Sequence, residues 1–429
     1  MDGIARPAIE PVAGLRWLYL DLNSYFASVE QQLDPAIRGR PVAVVPVMSD
    51  STCAIAASYE AKAFGIKTGT KIYEAKRRCP DLILKAARHE LYVRFHKMVC
   101  EEIDKHIPVA RVCSIDEVAC SLLGPERKRD NAIDLSRRIK RGIRANVGDY
   151  IGCSIGIAPT RFLAKVASDM QKPDGLVVLD ADKLPGPLLG LALRDLPGIG
   201  PNMERRLAAA GIADIAALWA LDPGRARRVW GSVEGERFWY ALRGVEVPER
   251  ETARRTIGHG RVLGPELRRP EPARLVARRL AQKAASRLRR TGYRAGAIDL
   301  GVRFEGGGGW WESFRLRQTQ DNFVILDGFD RLWAMMLGAL RPGRTLKTVS
   351  VVLRDLAEDA RATADLLDAL AAPREVPRPR ARLSSTIDRL NARFGQDTIV
   401  LGARPADRAG YMGAKIAFTR IPDEAEFNE

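Results

Sequence analysis

The chain has 429 residues, of which 46% are hydrophobic, so it can bury several domain cores and does not have the composition of a disordered chain. Lys and Arg number 69 against 53 Asp and Glu, and the net charge of +16 favours a polyanionic partner, either nucleic acid or an anionic membrane. No apolar run is long enough to span a bilayer and residues 1–14 lack the apolar middle of a signal peptide, so we expect nucleic acid, no membrane and a cytoplasmic location.

Strands and helices alternate in the first 175 residues. Residues 15–22 predict a short buried strand, and 24–33 predict a helix that Asn23 or Ser24 caps. Further strands are predicted at 40–47 and 150–158, with a strand–turn–strand at 110–124 and helices at 89–106, 132–148 and 160–175. This mixture predicts an α/β core.

Beyond residue 180 the pattern changes to a helical stretch that runs to about residue 244 and contains the turn LPGIG at 196–200. A polar tether follows, and residues 256–357 then combine strand-like runs with helices predicted at 271–291 and 321–340, which indicates a separate α+β module. Residues 372–382 read as a linker rich in Pro and Arg, and the helical spacing of apolar residues resumes at Leu383.

Three carboxylates stand at the edges of predicted buried strands. Asp21 ends the first strand, and Asp116 and Glu117 lie at the bend of the later hairpin. Any one of them alone would be an ordinary turn residue. Together, bare acids at such edges would repel one another, and a hard divalent cation such as Mg²⁺ removes that cost. Two such ions stabilise the attacking and the leaving oxygen of a phosphoryl transfer.

Side chains suited to phosphate binding follow Asp21, the first of these acids, along the sequence. Tyr59 and Lys62 share one face of a predicted helix at spacing i, i+3, and Arg161 and Lys165 share a face at spacing i, i+4. Each lysine alone would be an ordinary solvated residue. Taken together with the acids, they predict a clamp for a triphosphate.

Five motifs occur in an order that resembles the Y-family (translesion) DNA polymerases of the bacterial DinB or UmuC kind. They are LDLNSYFASVE, ASYEAKAFGIKTGT, CSIDEVACSL, SIGIAPTRFLAKVASDMQKPDG and DLPGIG, and the resemblance covers roughly residues 15–357. It implies a right-hand polymerase that combines α/β and α+β domains. The implied domains are a palm (15–24 and 88–175), small fingers (25–87), a helix-hairpin-helix thumb (176–246), a linker (247–255), an α+β little finger (256–357) and a C-terminal tail (358–429).

The resemblance also assigns roles within the active site. Asp21, Asp116 and Glu117 match the catalytic metal-binding acids, the Leu22 carbonyl joins them, and two Mg²⁺ ions are implied as cofactor. Phe26 matches the aromatic steric gate that excludes a ribose 2′-hydroxyl, although core packing is the alternative reading. Tyr59, Lys62 and Lys165 match the contacts to the nucleotide, and the small residues 54–57 match the roof over the nascent base pair.

Primer-template DNA and dNTP are therefore the implied partners of a chain that we expect to be a monomer. The predicted DNA-binding residues are Gly198, Gly200 and Arg205 at the hairpin, and Arg278, Arg279 and Lys283 on the basic helix of the second module. The family often ends in a peptide that binds the sliding clamp. The nearest match here, TADLLDAL at 363–370, lacks its Gln and terminal aromatic residue, so a clamp-binding segment and a simple amphipathic helix both stay open.

Two residues depart from the family pattern. Lys62 stands where many members carry Arg, and Asn23 stands where DinB-type members often carry a second Asp. We expect an error-prone translesion DNA polymerase without proofreading. The alternatives are a non-catalytic DNA-binding subunit of a mutagenesis complex, whose known relatives lose the metal acids, and a palm-type nucleotidyl cyclase, which needs neither the hairpin nor the basic module.

Overall fold

The computed structural model describes residues 14–248, 254–359, 378–395 and 398–402, together with residues 416, 421, 422 and 427. The chain forms two compact units, residues 1–249 with 415–424 and residues 250–414 with 425–429. This division falls within the predicted linker at 247–255. Among the described residues, no helix has both the length and the apolar character needed to cross a bilayer.

The first unit contains eight strands and ten α-helices among its described residues. The strands are β1 (Trp17–Leu22), β2 (Val42–Val45), β3 (Ala56–Ala57), β4 (Ile83–Ala86), β5 (Val109–Val112), β6 (Glu117–Ser121), β7 (Cys153–Ala158) and β8 (Leu176–Val178). The helices are α1 (Tyr25–Leu33), α2 (Tyr59–Ala63), α3 (Ile72–Arg78), α4 (His89–Asp104), α5 (Arg129–Asn146), α6 (Arg161–Met170), α7 (Pro201–Ala209), α8 (Ile215–Trp219), α9 (Pro223–Trp230) and α10 (Val233–Leu242).

A five-stranded sheet in the order β5-β6-β1-β7-β8 forms the centre of this unit. Strand β1 lies in the middle, antiparallel to both β6 and β7, which explains why its five apolar residues are nearly continuous. Helix α6 packs directly on β7 at Gly156, where an added Cβ would lie 2.1 Å from the Ala164 carbonyl oxygen. The residue type at Gly156 thus sets how closely α6 approaches the sheet.

The two predicted helix caps in this region have different outcomes. Thr160 caps α6 as predicted, because its side chain accepts a hydrogen bond from Leu163 N. The cap predicted for α1 is wrong. Ser24 precedes α1 with φ 49° and makes no side-chain cap, and the Asn23 side chain points instead to Ser154 and Asp174.

Smaller elements flank this sheet. Strands β3-β2-β4 form a three-stranded sheet with its own core around Ile66 and Ile72, in the region predicted as fingers. Helices α7–α10 lie in the predicted thumb. Their apolar core is continuous with that of α6, since Leu163 and Val166 belong to the same cluster as Leu207 and Leu242.

The second unit is an antiparallel sheet covered by helices. Its elements are β9 (Thr256–Val262), α11 (Pro270–Arg290), β10 (Tyr293–Phe304), β11 (Gly309–Thr319), α12 (Asn322–Ala339), β12 (Leu346–Glu358) and α13 (Arg378–Phe394). The strand order is β11-β10-β12-β9. Residues such as Leu300 and Val351 face a core that α11 and α12 complete. The α+β prediction for residues 256–357 agrees with these elements.

Helix α13 corrects the predicted linker, which was extended to residue 382. The helix spans Arg378–Phe394, so residues 378–382 are helical. It is an integral part of this unit, because Arg289 donates to both Asp388 carboxylate oxygens at 2.6 and 2.8 Å and the Ser384 hydroxyl accepts from Asn322 N at 3.1 Å. The predicted clamp segment at 363–370 lies outside the described residues.

Candidate active site

The three predicted acids meet at one edge of the central sheet. Asp21 on β1 is the direct register partner of Glu117 on β6, and Leu22 N donates to the Asp116 carbonyl at 2.8 Å. Asp21 is only 6% exposed. Burial, together with the charges of Asp21 and Glu117, raises the pKa of Asp116. Carboxylates that are 95 positions apart in sequence therefore interact electrostatically.

Two lysine ammonium groups contact Asp21, and one of them also contacts Glu117. Lys165 Nζ is 2.6 Å from Asp21 Oδ2 and 2.7 Å from Glu117 Oε1. Lys172 Nζ is 2.7 Å from Asp21 Oδ1, and both lysines also contact Asp169 Oδ1. Burial works against the charged forms, but the surrounding carboxylates outweigh it and raise the pKa of both lysines.

The ammonium groups of Lys165 and Lys172 occupy positions beside Asp21, one of the acids predicted to bind metal ions. Among the described residues, no group of three or more Asp, Glu, His or Cys side chains is placed so that it could hold a metal ion. The oxygen donors themselves are of the kind that Mg²⁺ prefers. The ammonium groups at 2.6–2.7 Å from Asp21 show that this edge attracts cations.

Tyr59 and Lys62, the nucleotide contacts predicted in the fingers region, lie near the residues that follow β1. Lys62 Nζ donates to the Ser24 hydroxyl at 2.7 Å and lies 4.2 Å from the centre of the Tyr59 ring. Burial and the nearby charge of Lys172 lower the pKa of Lys62, although the charge of Asp21 opposes this shift. Helix α2, which carries Tyr59 and Lys62, begins at the Ser58 cap.

Phe26 lies in the first turn of α1 and is partly exposed. Its ring stacks on Tyr92 with a centroid distance of 4.3 Å and an interplanar angle of 13°. The Tyr92 hydroxyl donates to the buried carboxylate of Glu30 at 2.7 Å, and Glu30 also pairs with Arg88. The ring of Phe26 is thus supported on one side by a fixed aromatic residue.

Several neighbouring residues were missed in the sequence. Asp169 and Lys172 lie four and seven positions after Lys165; Asp169 is on α6, and Lys172 reaches Asp21 from the loop that follows this helix. Tyr19 lies two residues before Asp21 on the same side of β1, and its hydroxyl donates to Glu117 Oε2 at 3.1 Å. The alternation of a strand gives the side of Tyr19, and only the register with β6 gives its partner.

The predicted DNA contacts lie on both units. Gly198 has φ 93° in the turn before α7, Gly200 precedes that helix, and Arg205 is exposed on it. On α11, Arg279 is only 8% exposed and Arg278 pairs with Asp330 at 2.5 Å, while Lys283 is partly buried and has a partner. Helix α11 is a core helix, so Arg279 is not available to a DNA phosphate, and this assignment requires correction.

A different basic surface is present in the second unit, on the sheet face opposite α11 and α12. The register groups its residues as four rows: Val262–Thr348–Arg303–Gly309, Gly260–Ser350–Gly301–Trp311, Gly258–Val352–Asp299–Ser313 and Thr256–Arg354–Ala297–Arg315. Arg303 and Arg315 are exposed, as is Trp311 at 54%. Arg354 crosses β10 to contact the buried Asp299 at 2.5 Å and Ser313 at 2.8 Å. We call this surface the open sheet face.

Known family models match the two units of the chain separately. The impB/mucB/samB family matches residues 20–169, and the C-terminal domain of that family matches residues 254–366. The chain belongs to the impB/mucB/samB family. It is 32% identical to DNA polymerase IV 2 of Mesorhizobium japonicum over 90% of this chain and 93% of that protein. It is 38% identical to DNA polymerase IV of Moorella thermoacetica over 66% of this chain and 72% of that protein.

Solved structures agree at the level of the fold. A Y-family DNA polymerase chimera of Dbh and Dpo4 superposes with a TM-score of 0.68 and 22% identity, covering 80% of this chain and 99% of that one. DinB from Sulfolobus solfataricus gives a TM-score of 0.50 and 23% identity, covering 79% of this chain and 98% of that one. The predicted family, polymerase fold and enzyme class, a translesion-type DNA polymerase, are confirmed. The predicted monomeric state stays a prediction.

Proposed function

We propose that this chain adds dNTPs to a primer 3′ end on a DNA template by two-metal phosphoryl transfer, without proofreading, at the site around Asp21. The observation that carries the proposal is the convergence of Asp21 and Glu117, paired across two strands, with the ammonium groups of Lys165 and Lys172. Such a site has anionic groups for cations and cationic groups for phosphates, and a nucleotide–metal complex needs both.

Mg²⁺ suits the donor atoms that this site offers. The carboxylates of Asp21, Asp116 and Glu117 would hold the two ions, with the Leu22 carbonyl as a further ligand. The raised pKa of Asp116 reflects burial and crowding of negative charge, which a divalent cation relieves. Bound ions supply charge stabilisation at the attacking and leaving oxygens.

The remaining residues would orient the nucleotide. Lys62 and Lys165 would neutralise its phosphate oxygens, and the Tyr59 hydroxyl would donate a hydrogen bond to one of them. The Phe26 ring, held by Tyr92, would lie under the sugar and exclude a 2′-hydroxyl. Ala54, Ala56 and Ala57 would form a roof that constrains the nascent base pair little, which favours bypass of damaged templates.

DNA would be gripped mainly through its phosphates. The turn that contains Gly198 and Gly200, followed by Arg205, would face a duplex backbone through main-chain N–H groups. In the second unit we propose the open sheet face, with Arg303 and Arg315, in place of Arg279. Gly260 leaves room on this face, since an added Cβ would meet no atom closer than 3.5 Å, whereas the Trp311 ring covers Gly301. A clamp partner stays a separate prediction.

Primer extension with Mg²⁺ tests the proposal directly. The double variant Asp116→Asn/Glu117→Gln keeps the shape of the site, and its extension rate should fall by at least roughly 10³-fold, because metal binding contributes several kcal/mol to such reactions. Asp130→Asn/Asp134→Asn removes two exposed acids from α5 and should extend like the parent.

Each alternative gives a different result in the same assay. A parent protein that binds primer-template but extends nothing would support the non-catalytic DNA-binding subunit instead. An Asp116→Asn/Glu117→Gln variant that extends as fast as the parent would show that the chemistry is performed elsewhere. Formation of a cyclic nucleotide from a nucleoside triphosphate without primer would favour the cyclase.

A further inference from the structure

Trp311 lies on the open sheet face with its indole ring flat against the sheet. The residue belongs to β11, an edge strand, and is 54% exposed. Its register partner on β10 is Gly301, where an added Cβ would lie 2.3 and 2.5 Å from the Trp311 atoms Cε3 and Cζ3. The benzene part of the indole therefore packs on the Gly301 backbone. Because one side of the ring is covered in this way, the exposed side is the one that faces away from the sheet.

The surface beside the indole is formed by small residues. In the row that contains Trp311, the residues on β10, β12 and β9 are Gly301, Ser350 and Gly260. A Cβ added at Gly260 would meet no atom closer than 3.5 Å. A planar ligand can therefore approach the indole along this row without displacing a large side chain.

The charges around this row are mainly positive. Arg303 lies in the next row on one side of Trp311, and Arg354 and Arg315 lie two rows away on the other side. Rows on one face of a sheet are about 7 Å apart, so these arginines flank the indole at about 7 and 14 Å along the strands. Asp299, the one acid of the four rows, is 1% exposed and pairs with Arg354 at 2.5 Å. A ligand on this face would meet guanidinium groups rather than a carboxylate.

An exposed aromatic ring between cations suits a polyanion that carries planar rings. The bases of a duplex are stacked on one another, so their faces are not available to a protein side chain. The bases of a single strand are available, and they stack on aromatic residues while basic residues follow the phosphates. Contacts to duplex phosphates need the arginines of the open sheet face but give no role to Trp311.

We propose that the open sheet face contains a binding site for single-stranded DNA, in which one unpaired base stacks on Trp311. Arg303 binds a phosphate on one side of that base, and Arg315 binds a phosphate on the other side. This inference rests on the proposed function, in which this face grips DNA through its phosphates, and it adds the unpaired part of a template strand as a ligand.

Equilibrium binding of three labelled DNAs to the full chain tests the site. They are a single-stranded oligothymidylate, an abasic strand of the same length and a blunt duplex, all at one salt concentration because phosphate contacts depend on salt. Trp311→Ala should weaken oligothymidylate binding roughly five- to 100-fold, the loss expected when one base no longer stacks on an aromatic ring. Its affinity for the abasic strand and for the duplex should equal that of the parent, since neither offers an unpaired base. Arg303→Ala should weaken binding of all three.

Three further variants control this comparison. Tyr73→Ala removes an aromatic ring of similar exposure, 53%, from α3 and should bind all three DNAs like the parent. Trp311→Phe keeps an aromatic ring and should retain part of the affinity for oligothymidylate. Gly301→Ala keeps the indole but displaces it with a methyl group, so it should weaken oligothymidylate binding as well.

Crosslinking of the parent locates the stacked base without any substitution. A single strand that carries iodouracil in place of thymine forms a covalent bond, under long-wavelength ultraviolet light, with an aromatic side chain that lies against the base. Peptide mapping of the irradiated complex should find Trp311 among the linked residues. This measurement does not depend on whether a variant folds.

The possible results are distinct. If the parent extends no primer and binds no primer-template, the proposed function fails. If the parent extends primers but Trp311→Ala binds oligothymidylate as tightly as the parent, or if the crosslinks map only to other residues, the stacking site is disproved. Equal losses of Trp311→Ala for oligothymidylate, abasic strand and duplex would also overturn it, because they would show that the indole acts without contacting a base.

Discussion

The Tyr19 hydroxyl donates a hydrogen bond to Glu117 Oε2 at 3.1 Å, on the side of β1 that also carries Asp21. Burial and the charge of Glu117 raise the pKa of Tyr19, so the phenol stays protonated and remains a donor. Glu117 is thereby held from both of its oxygens, by Tyr19 on Oε2 and by Lys165 on Oε1.

Tyr19→Phe removes this hydroxyl with little change in packing. We expect the Mg²⁺ concentration for half-maximal primer extension to rise roughly tenfold, since a hydrogen bond to a charged group contributes about 1.5 kcal/mol or more. The control is Tyr25→Phe, which removes a buried hydroxyl bonded to the Tyr92 carbonyl at 2.6 Å and should lower stability without changing the Mg²⁺ dependence. An unchanged Mg²⁺ dependence in Tyr19→Phe would contradict the positioning role.

Phe26→Ala tests the steric gate. Removal of the ring should increase ribonucleotide incorporation relative to dNTP by roughly one to two orders of magnitude, the range typical of a single steric contact. Single-nucleotide insertion with matched dNTP and rNTP measures this ratio. Phe64→Ala, an aromatic residue that is 50% exposed, should leave the sugar preference unchanged. If Phe26→Ala keeps the parental preference, its ring serves only to pack on Tyr92.

The open sheet face gives a prediction for DNA binding. Arg303→Ala/Arg315→Ala should lower the dependence of primer-template affinity on salt by nearly two units on a log–log plot, because each lost phosphate contact contributes about 0.9. Arg274→Ala/Arg278→Ala removes the same charge from α11, where both residues pair with Asp330. That variant should change the salt dependence much less. Equal effects of the two variants would mean that only net charge matters.

The buried carboxyl group of Glu102 gives a prediction for how the stability of the fold depends on pH. Its residue is 3% exposed, and hydrogen bonds from Lys105, Asn146 and His106 lower the pKa of its carboxyl despite burial. A carboxyl with a lowered folded pKa stabilises the fold fully above its ordinary value of 4.5 and loses this contribution as the pH falls below it. Glu102→Gln should therefore lower the free energy of unfolding at pH 7 by about 1–3 kcal/mol and flatten its decline below the ordinary pKa.

Chemical denaturation at several pH values measures this effect. Glu101→Gln changes the adjacent, exposed acid on the same helix. In this variant the free energy of unfolding should decline at acid pH as it does in the parent. A parental pH profile in Glu102→Gln would show that the buried carboxylate does not contribute to acid sensitivity.

The acids of the site were predictable because each stands at the end of an apolar strand, and strand ends on one sheet edge can meet. The contributions of Lys172 and Asn23 were not predictable in this way. Lys172 reaches Asp21 through the conformation of the loop after α6, and Asn23 bonds to Ser154, which lies 131 positions away in sequence. A pattern of residue types does not encode such a contact.

Helix α11 shows the opposite difficulty. Its arginines suggested a DNA-facing surface, but alanines and leucines such as Ala281 and Leu288 pack in the core of the second unit. The same helix is also bonded to α13 through Arg289 and Asp388. Arg279 and Arg289 are held within that packing. Charge alone could not distinguish a phosphate-binding arginine from one that ties helices together.

Gly156 has a consequence for the chemistry although it carries no side chain. Since α6 rests on the bare backbone of β7 at this position, the length of a lysine side chain is enough for Lys165 to span from that helix to Asp21. A methyl group at residue 156 would push α6 away from β7. The Lys165 ammonium group would then move away from Asp21, although every charged residue is still present. We therefore expect a substitution at residue 156 to disturb the candidate active site although it alters no charged residue.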